Sequence, residues 1–124
     1  MENLPRTVAV VEDDPSMRRS IERLLNAHGY QTQGYASAET FLEVDFTGTI
    51  GCLVLDIHLG DMSGILLRRR LSSIGSALPV IFITAVDDEA VEAEALEAGC
   101  LAYLRKPFAA KLLLSAVGQA MSGP

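Results

Sequence analysis

Short apolar runs alternate with helical stretches along the chain. Val8–Val11, Cys52–Leu55 and Pro79–Ile83 carry no polar residue. Each predicts a strand covered on both faces, as in a parallel sheet. Between them apolar residues recur at helical spacing. One set is Met17, Ile21, Leu24 and Leu25, and a second is Leu66, Leu67, Leu71 and Ile74. Val91, Ala95 and Ala98 form a third, and Leu112, Leu113, Ala116 and Val117 a fourth.

Local signals punctuate these elements. Asp14 is placed to cap the first helix, with Pro15 at its first position, where a missing N–H costs nothing, and His28-Gly29 ends it. Gln31–Tyr35 predicts a weak second strand, and Ser37 caps a short helix through Phe41 and Leu42. Residues Phe46 to Gly51 read as a loop. Ser63 caps the next helix, Asp87 or Asp88 starts the one after Thr84, and Gly99 stops it. Leu101–Leu104 predicts the fifth strand, and Lys106-Pro107-Phe108 leads into the last helix.

Five such βα units predict an α/β fold, a doubly wound parallel sheet with helices on both faces. At 124 residues the chain is expected to be one domain over 1–124, with its core in 5–121. The net charge of -6 disfavours direct binding to nucleic acid or anionic lipid. Arg68-Arg69-Arg70 reads as a solvated helix face. No apolar run approaches membrane-spanning length, and a cytoplasmic location is expected. Cys52 and Cys100 lack metal or C-x-x-C spacing and read as buried free thiols.

Polar residues gather where the strands end. Glu12 and Asp13 follow the first strand, Asp56 ends the third, Thr84 ends the fourth, and Lys106 follows the fifth. In doubly wound sheets ligands collect at these carboxyl ends. Converging carboxylates repel and raise one another's protonation, a conflict that a divalent cation removes. An all-oxygen site suits Mg²⁺, and there is no Cys or His cluster to favour zinc.

Four segments together resemble the receiver domains of two-component response regulators. They are VVEDDPSMRR (Val10–Arg19), LVLDIHLGDMSG (Leu53–Gly64), PVIFITA (Pro79–Ala85) and AGCLAYLRKPF (Ala98–Phe108), in order over essentially the whole chain. The resemblance implies a flavodoxin-like sheet of order 2-1-3-4-5 and a phosphoryl group accepted on Asp56. It implies Asp13 and Asp56 as Mg²⁺ ligands, Glu12 acting through water, and the His58 backbone carbonyl completing the shell. Thr84 and Tyr103 match the switch pair, and Lys106 the phosphate-binding lysine before a Pro107 whose peptide bond is usually cis. His58 and Val86 match positions that govern water access to the acyl phosphate. Where the family usually carries proline in the loop after the acceptor, this chain has Gly60.

The implied function is two-component signalling. A sensor histidine kinase or phosphotransfer protein donates to Asp56, and the surface of the fourth helix, fifth strand and fifth helix responds. Such a domain serves an output domain or target protein, among them DNA-binding regulators, and can pair into a phosphorylation-dependent homodimer. It is not an enzyme beyond slow self-dephosphorylation. Two other readings compete. A haloacid-dehalogenase-type phosphatase usually places a second acid two residues after its nucleophile, where this chain has His58. A degenerate receiver acting only as a binding module would not need Asp13, Asp56, Thr84 and Lys106.

Overall fold

The computed structural model describes residues 7–43, 49–60 and 62–122. Its elements alternate throughout: β1 (Thr7–Val11), α1 (Pro15–Ala27), β2 (Gln31–Tyr35), α2 (Ala38–Leu42), β3 (Ile50–Asp56), α3 (Gly64–Ser73), β4 (Val80–Thr84), α4 (Glu89–Ala98), β5 (Ala102–Arg105) and α5 (Ala110–Ser122). All strand pairings are parallel, in the order β2-β1-β3-β4-β5. The chain order reverses between β1 and β3, so the crevice above their carboxyl ends is where a ligand belongs.

Strand alternation explains the absence of polar residues in the central strands. Val8, Val10, Cys52, Val54, Ile81 and Ile83 pack with Ile21 and Leu25 of α1 and Leu113 and Val117 of α5. Ala9, Val11, Leu53, Leu55 and Phe82 pack on the opposite face with Phe41 of α2, Leu67 and Leu71 of α3, and Ala95 of α4. Each central strand therefore feeds two cores, and every position must be apolar. The edge strand β2 buries only Tyr35 among its five residues, which accounts for its weak sequence signal.

The caps follow the residues expected. Asp14 Oδ1 accepts from Ser16 N–H at 3.0 Å with Pro15 opening α1, and Ser37 and Ser63 cap α2 and α3 through their hydroxyls. Asp88, rather than Asp87, caps α4. Gly99 ends α4 at φ +98°, a left-handed conformation that favours glycine.

Three expectations are corrected. Ile50 and Gly51 belong to β3, not to a loop, because Ile50 is buried and pairs with Thr7 of β1. Residues 46–48 of that loop, and 5 and 6 of the expected core, lie outside the described residues. Both cysteines are free, but only Cys52 is buried, and Cys100 is partly exposed. Burial pushes the Cys52 thiol up to about 12, which keeps it protonated and inert. The arginine run is also not wholly solvated. Arg68 donates from Nε to the Gly99 carbonyl at 2.7 Å and from Nη1 to Ser72 Oγ, and Arg69 pairs with Glu94 and Glu97 of α4. Among the described residues, no helix is long and apolar enough to cross a membrane.

Candidate functional site

Strand parity assembles the site. Glu12 continues the alternation Val8-Val10, Asp56 the alternation Cys52-Val54, and Lys106 the alternation Ala102-Leu104. All three thus emerge on the α1/α5 side of the sheet at its carboxyl edge. Thr84 continues Val80-Phe82, and Tyr103 packs against that same core, so both belong to the α3/α4 side. One carboxylate oxygen from each of Glu12, Asp13 and Asp56 lies within 4.8 Å of the others. Glu12 and Asp56 are 1% and 4% exposed, whereas Asp13 faces solvent.

The backbone holds this cluster rigidly. Glu12 donates its N–H to the Tyr35 carbonyl at 3.0 Å and accepts Asp14 N–H on Oε2 at 3.2 Å. Asp56 accepts the His58 N–H on Oδ1 at 3.1 Å, and Ile57 N–H reaches the Ile83 carbonyl at 3.0 Å. The start of α3 presses on Asp56 from behind. A Cβ at Gly64 would collide with the Asp56 carbonyl oxygen and come within 3.0 Å of Ile57 Cα. Only glycine fits, and Gly64 N–H bonds the Ile57 carbonyl at 2.9 Å. The sequence shows the glycine, but not this close approach.

Lys106 enters the cluster from β5. Its ammonium donates to Glu12 Oε1 at 2.7 Å and stands 3.5 Å from Asp56 Oδ2. Burial works against its charge, but the Glu12 hydrogen bond and the Asp56 and Glu12 charges outweigh it and hold its pKa above the usual lysine value. Burial raises the Glu12 carboxyl above its ordinary range, with Asp56 adding to the rise and Lys106 opposing it. The Lys106–Pro107 peptide bond is cis.

Of the remaining sequence candidates, Thr84, His58 and Val86 connect to this centre through the backbone, and Tyr103 stands apart from it on β5. Thr84 is fully buried; its Oγ1 accepts Val86 N–H at 3.1 Å, and its carbonyl accepts Lys106 N–H at 2.7 Å. Tyr103 lies opposite Phe82 on β4 and is partly buried. The His58 side chain is exposed, and Val86 is 40% exposed. Asp14 is a helix cap rather than a member of the cluster. Arg18 is a residue that sequence reasoning missed: its Nη1 donates to the Glu12 carbonyl at 2.7 Å.

The donor set is oxygen only, two carboxylates buried and one open to water. It fits a hard divalent cation that keeps part of its hydration. With a fixed carboxylate beside an ammonium and a cation site, the arrangement suits a carboxylate that attacks a phosphoryl group.

Comparison with known proteins points the same way. A family model for the response regulator receiver domain matches residues 8–118. The transcriptional regulatory protein TdiR of Thauera aromatica is 39% identical over 94% of this chain and 51% of its own length. Nodulation protein W of Bradyrhizobium diazoefficiens is 37% identical over 89% and 48%. The chain spans about half the length of these curated relatives. Among solved structures, response regulator StyR superposes with a TM-score of 0.88 at 39% identity, covering 96% of this chain and 60% of that one. FixJ-N gives 0.87 at 31% identity, covering 100% and 98%.

Proposed function

The chain belongs to the response regulator receiver domain family, and on that premise we propose that Asp56 accepts a phosphoryl group from a sensor histidine kinase or phosphotransfer protein. The observation that carries this reading is Asp56 itself: buried at the tip of β3, in one acidic cluster with Glu12 and Asp13, with Lys106 at 3.5 Å. An Asp56 carboxylate oxygen attacks the phosphorus of a phosphohistidine donor. The new O–P bond forms as the donor's N–P bond breaks, and the imidazole leaves. His58 N–H and the β3 backbone fix the carboxylate for attack. Asp13, Asp56 and the His58 carbonyl would hold Mg²⁺ beside Glu12. Bound there, the ion supplies charge neutralisation to the transferring oxygens, as Lys106 does from the other side.

The added phosphate carries about -1.5 to -2 charges at neutral pH. The Thr84 hydroxyl accepts from Val86 N–H and still has its own proton to donate toward the phosphoryl oxygens. Movement of Thr84 opens space for Tyr103 on the same side of the sheet, and the surface of α4, β5 and α5 changes with it. The domain acts as a cytoplasmic signalling module rather than an enzyme, within 1–124. Its output is a separate domain or target protein, with a DNA-binding regulator favoured by the half-length match to a transcriptional regulatory protein; a phosphorylation-dependent homodimer is the assembly proposed.

Intact-mass measurement after incubation with acetyl phosphate and Mg²⁺ tests the reading. The wild type should gain one phosphoryl group and Asp56→Asn none. An unlabelled wild type would overturn it.

A further inference from the structure

We propose that Arg18 is a positioning residue for the cation site, acting through the peptide unit that joins Glu12 to Asp13. This inference rests on the receiver reading and extends it to a residue outside the acidic cluster. The Arg18 guanidinium donates from Nη1 to the Glu12 carbonyl at 2.7 Å. That carbonyl and the Asp13 N–H belong to one planar unit. Fixing the carbonyl therefore fixes the plane from which the Asp13 side chain departs. Asp13 needs this, because it is the exposed member of the cluster and lies just beyond the end of β1. Glu12 is held by Tyr35, Asp14 and Lys106; Arg18 extends that hold to the next residue.

A second feature supports the assignment. Arg18 runs along α1 over the edge strand, and β2 carries Gly34 beneath it. A Cβ at Gly34 would come within 2.9 Å of Arg18 Cδ and 2.5 Å of Glu22 Oε2. Gly34 pairs with Val10 in the ladder, so the notch lies close to where β1 delivers Glu12 and Asp13. The absence of a side chain at residue 34 lets the Arg18 stem lie flat and reach Glu12.

Two physical effects of Arg18 on cation binding have opposite signs. As a nearby positive charge it repels Mg²⁺, so removing it should tighten binding. As an orienting donor it preorganises Asp13, so removing it should weaken binding. Direct hydrogen-bond partners of metal ligands commonly affect affinity by about tenfold or more. Arg18 acts one peptide unit away from Asp13, so positioning is expected to win with about tenfold as its upper bound.

The test is a Mg²⁺ titration of the ¹⁵N-labelled protein, followed through the amide signals of Asp13 and His58, with unfolding of each variant measured alongside. Arg18→Ala should weaken Mg²⁺ affinity several-fold, up to about tenfold. Arg18→Lys, which keeps a donor, should recover most of the loss, and Gly34→Ala should weaken binding in the same direction by displacing the stem. Arg18→Ala binding as tightly as wild type, or more tightly, would overturn the inference while leaving the receiver reading intact. A wild type that binds no Mg²⁺ would overturn both.

Discussion

Lys106 is paired with Glu12, at 2.7 Å, more closely than with Asp56, at 3.5 Å. The ammonium thus neutralises the most buried carboxylate of the cluster. Asp56 keeps its Oδ1 on the His58 backbone N–H. In the proposed phosphoryl transfer the ammonium would shift from Glu12 toward Asp56 and the incoming oxygens.

Removing one partner of a buried ion pair costs about 3–5 kcal/mol, because an uncompensated charge remains. Lys106→Met is therefore expected to lower metal-free stability by about 3 kcal/mol at neutral pH. Burial already raises the Glu12 pKa above 4.5, and loss of Lys106 raises it further. A raised folded-state pKa gives stability that is present at low pH and is lost as pH rises through that value. The deficit should therefore shrink in mild acid, and adding Glu12→Gln should reduce it at neutral pH. Urea unfolding of the wild type, Lys106→Met and the double variant at neutral and mildly acid pH checks this; a deficit independent of pH would contradict it.

Repulsion among the clustered carboxylates of Glu12, Asp13 and Asp56 is expected to weaken the metal-free fold, and a bound divalent cation would relieve it. At about a hundred times its dissociation constant Mg²⁺ should add roughly 2.7 kcal/mol. Asp13→Asn should raise metal-free stability and blunt the Mg²⁺ response. Thermal unfolding with and without Mg²⁺ measures both, and a wild-type transition indifferent to Mg²⁺ would refute the site.

Gly64→Ala tests the support behind the acceptor. The added methyl meets the backbone of Asp56 and Ile57, which cannot swing aside as a side chain would. A loss of about 1–3 kcal/mol is expected, together with slower labelling by acetyl phosphate as Asp56 is displaced. Gly60→Ala, where a Cβ would meet nothing within 4 Å, serves as the control.

Much of this architecture was legible in the sequence. The uninterrupted apolar strands dictated two-sided cover, and the polar residues at their ends dictated a site at the carboxyl edge. The caps at Asp14, Ser37 and Ser63 followed from local chemistry. What escaped depends on approach in three dimensions. The Lys106 partner is decided by side-chain reach between residues 94 positions apart. Gly64 matters only because α3 folds back on Asp56, and Arg68 only because α4 ends beside it. Ile50 and Gly51 read as part of a loop, yet pairing of Ile50 with Thr7 of β1 extends the strand.

The lifetime of the phosphorylated state should depend on Val86 and His58. Both are exposed, and Val86 is tied through its N–H to Thr84 Oγ1. A valine side chain offers no hydrogen bond to orient an attacking water, whereas a carboxylate does. A comparatively long-lived acyl phosphate is expected, with Val86→Glu decaying faster and His58→Asn reporting whether the imidazole orients or shields. Phosphoryl loss in Mg²⁺ after donor removal is the measurement. Decay of Val86→Glu no faster than wild type would contradict the water-access argument.

Asp56 is the residue proposed to carry the phosphoryl group. Borohydride reduction converts an aspartyl phosphate to homoserine, which peptide mass spectrometry locates in the chain. After acetyl phosphate and Mg²⁺, homoserine is expected at residue 56 alone, and none in protein incubated without the phosphodonor. Conversion at Asp13 or Asp61 with residue 56 unchanged would contradict it.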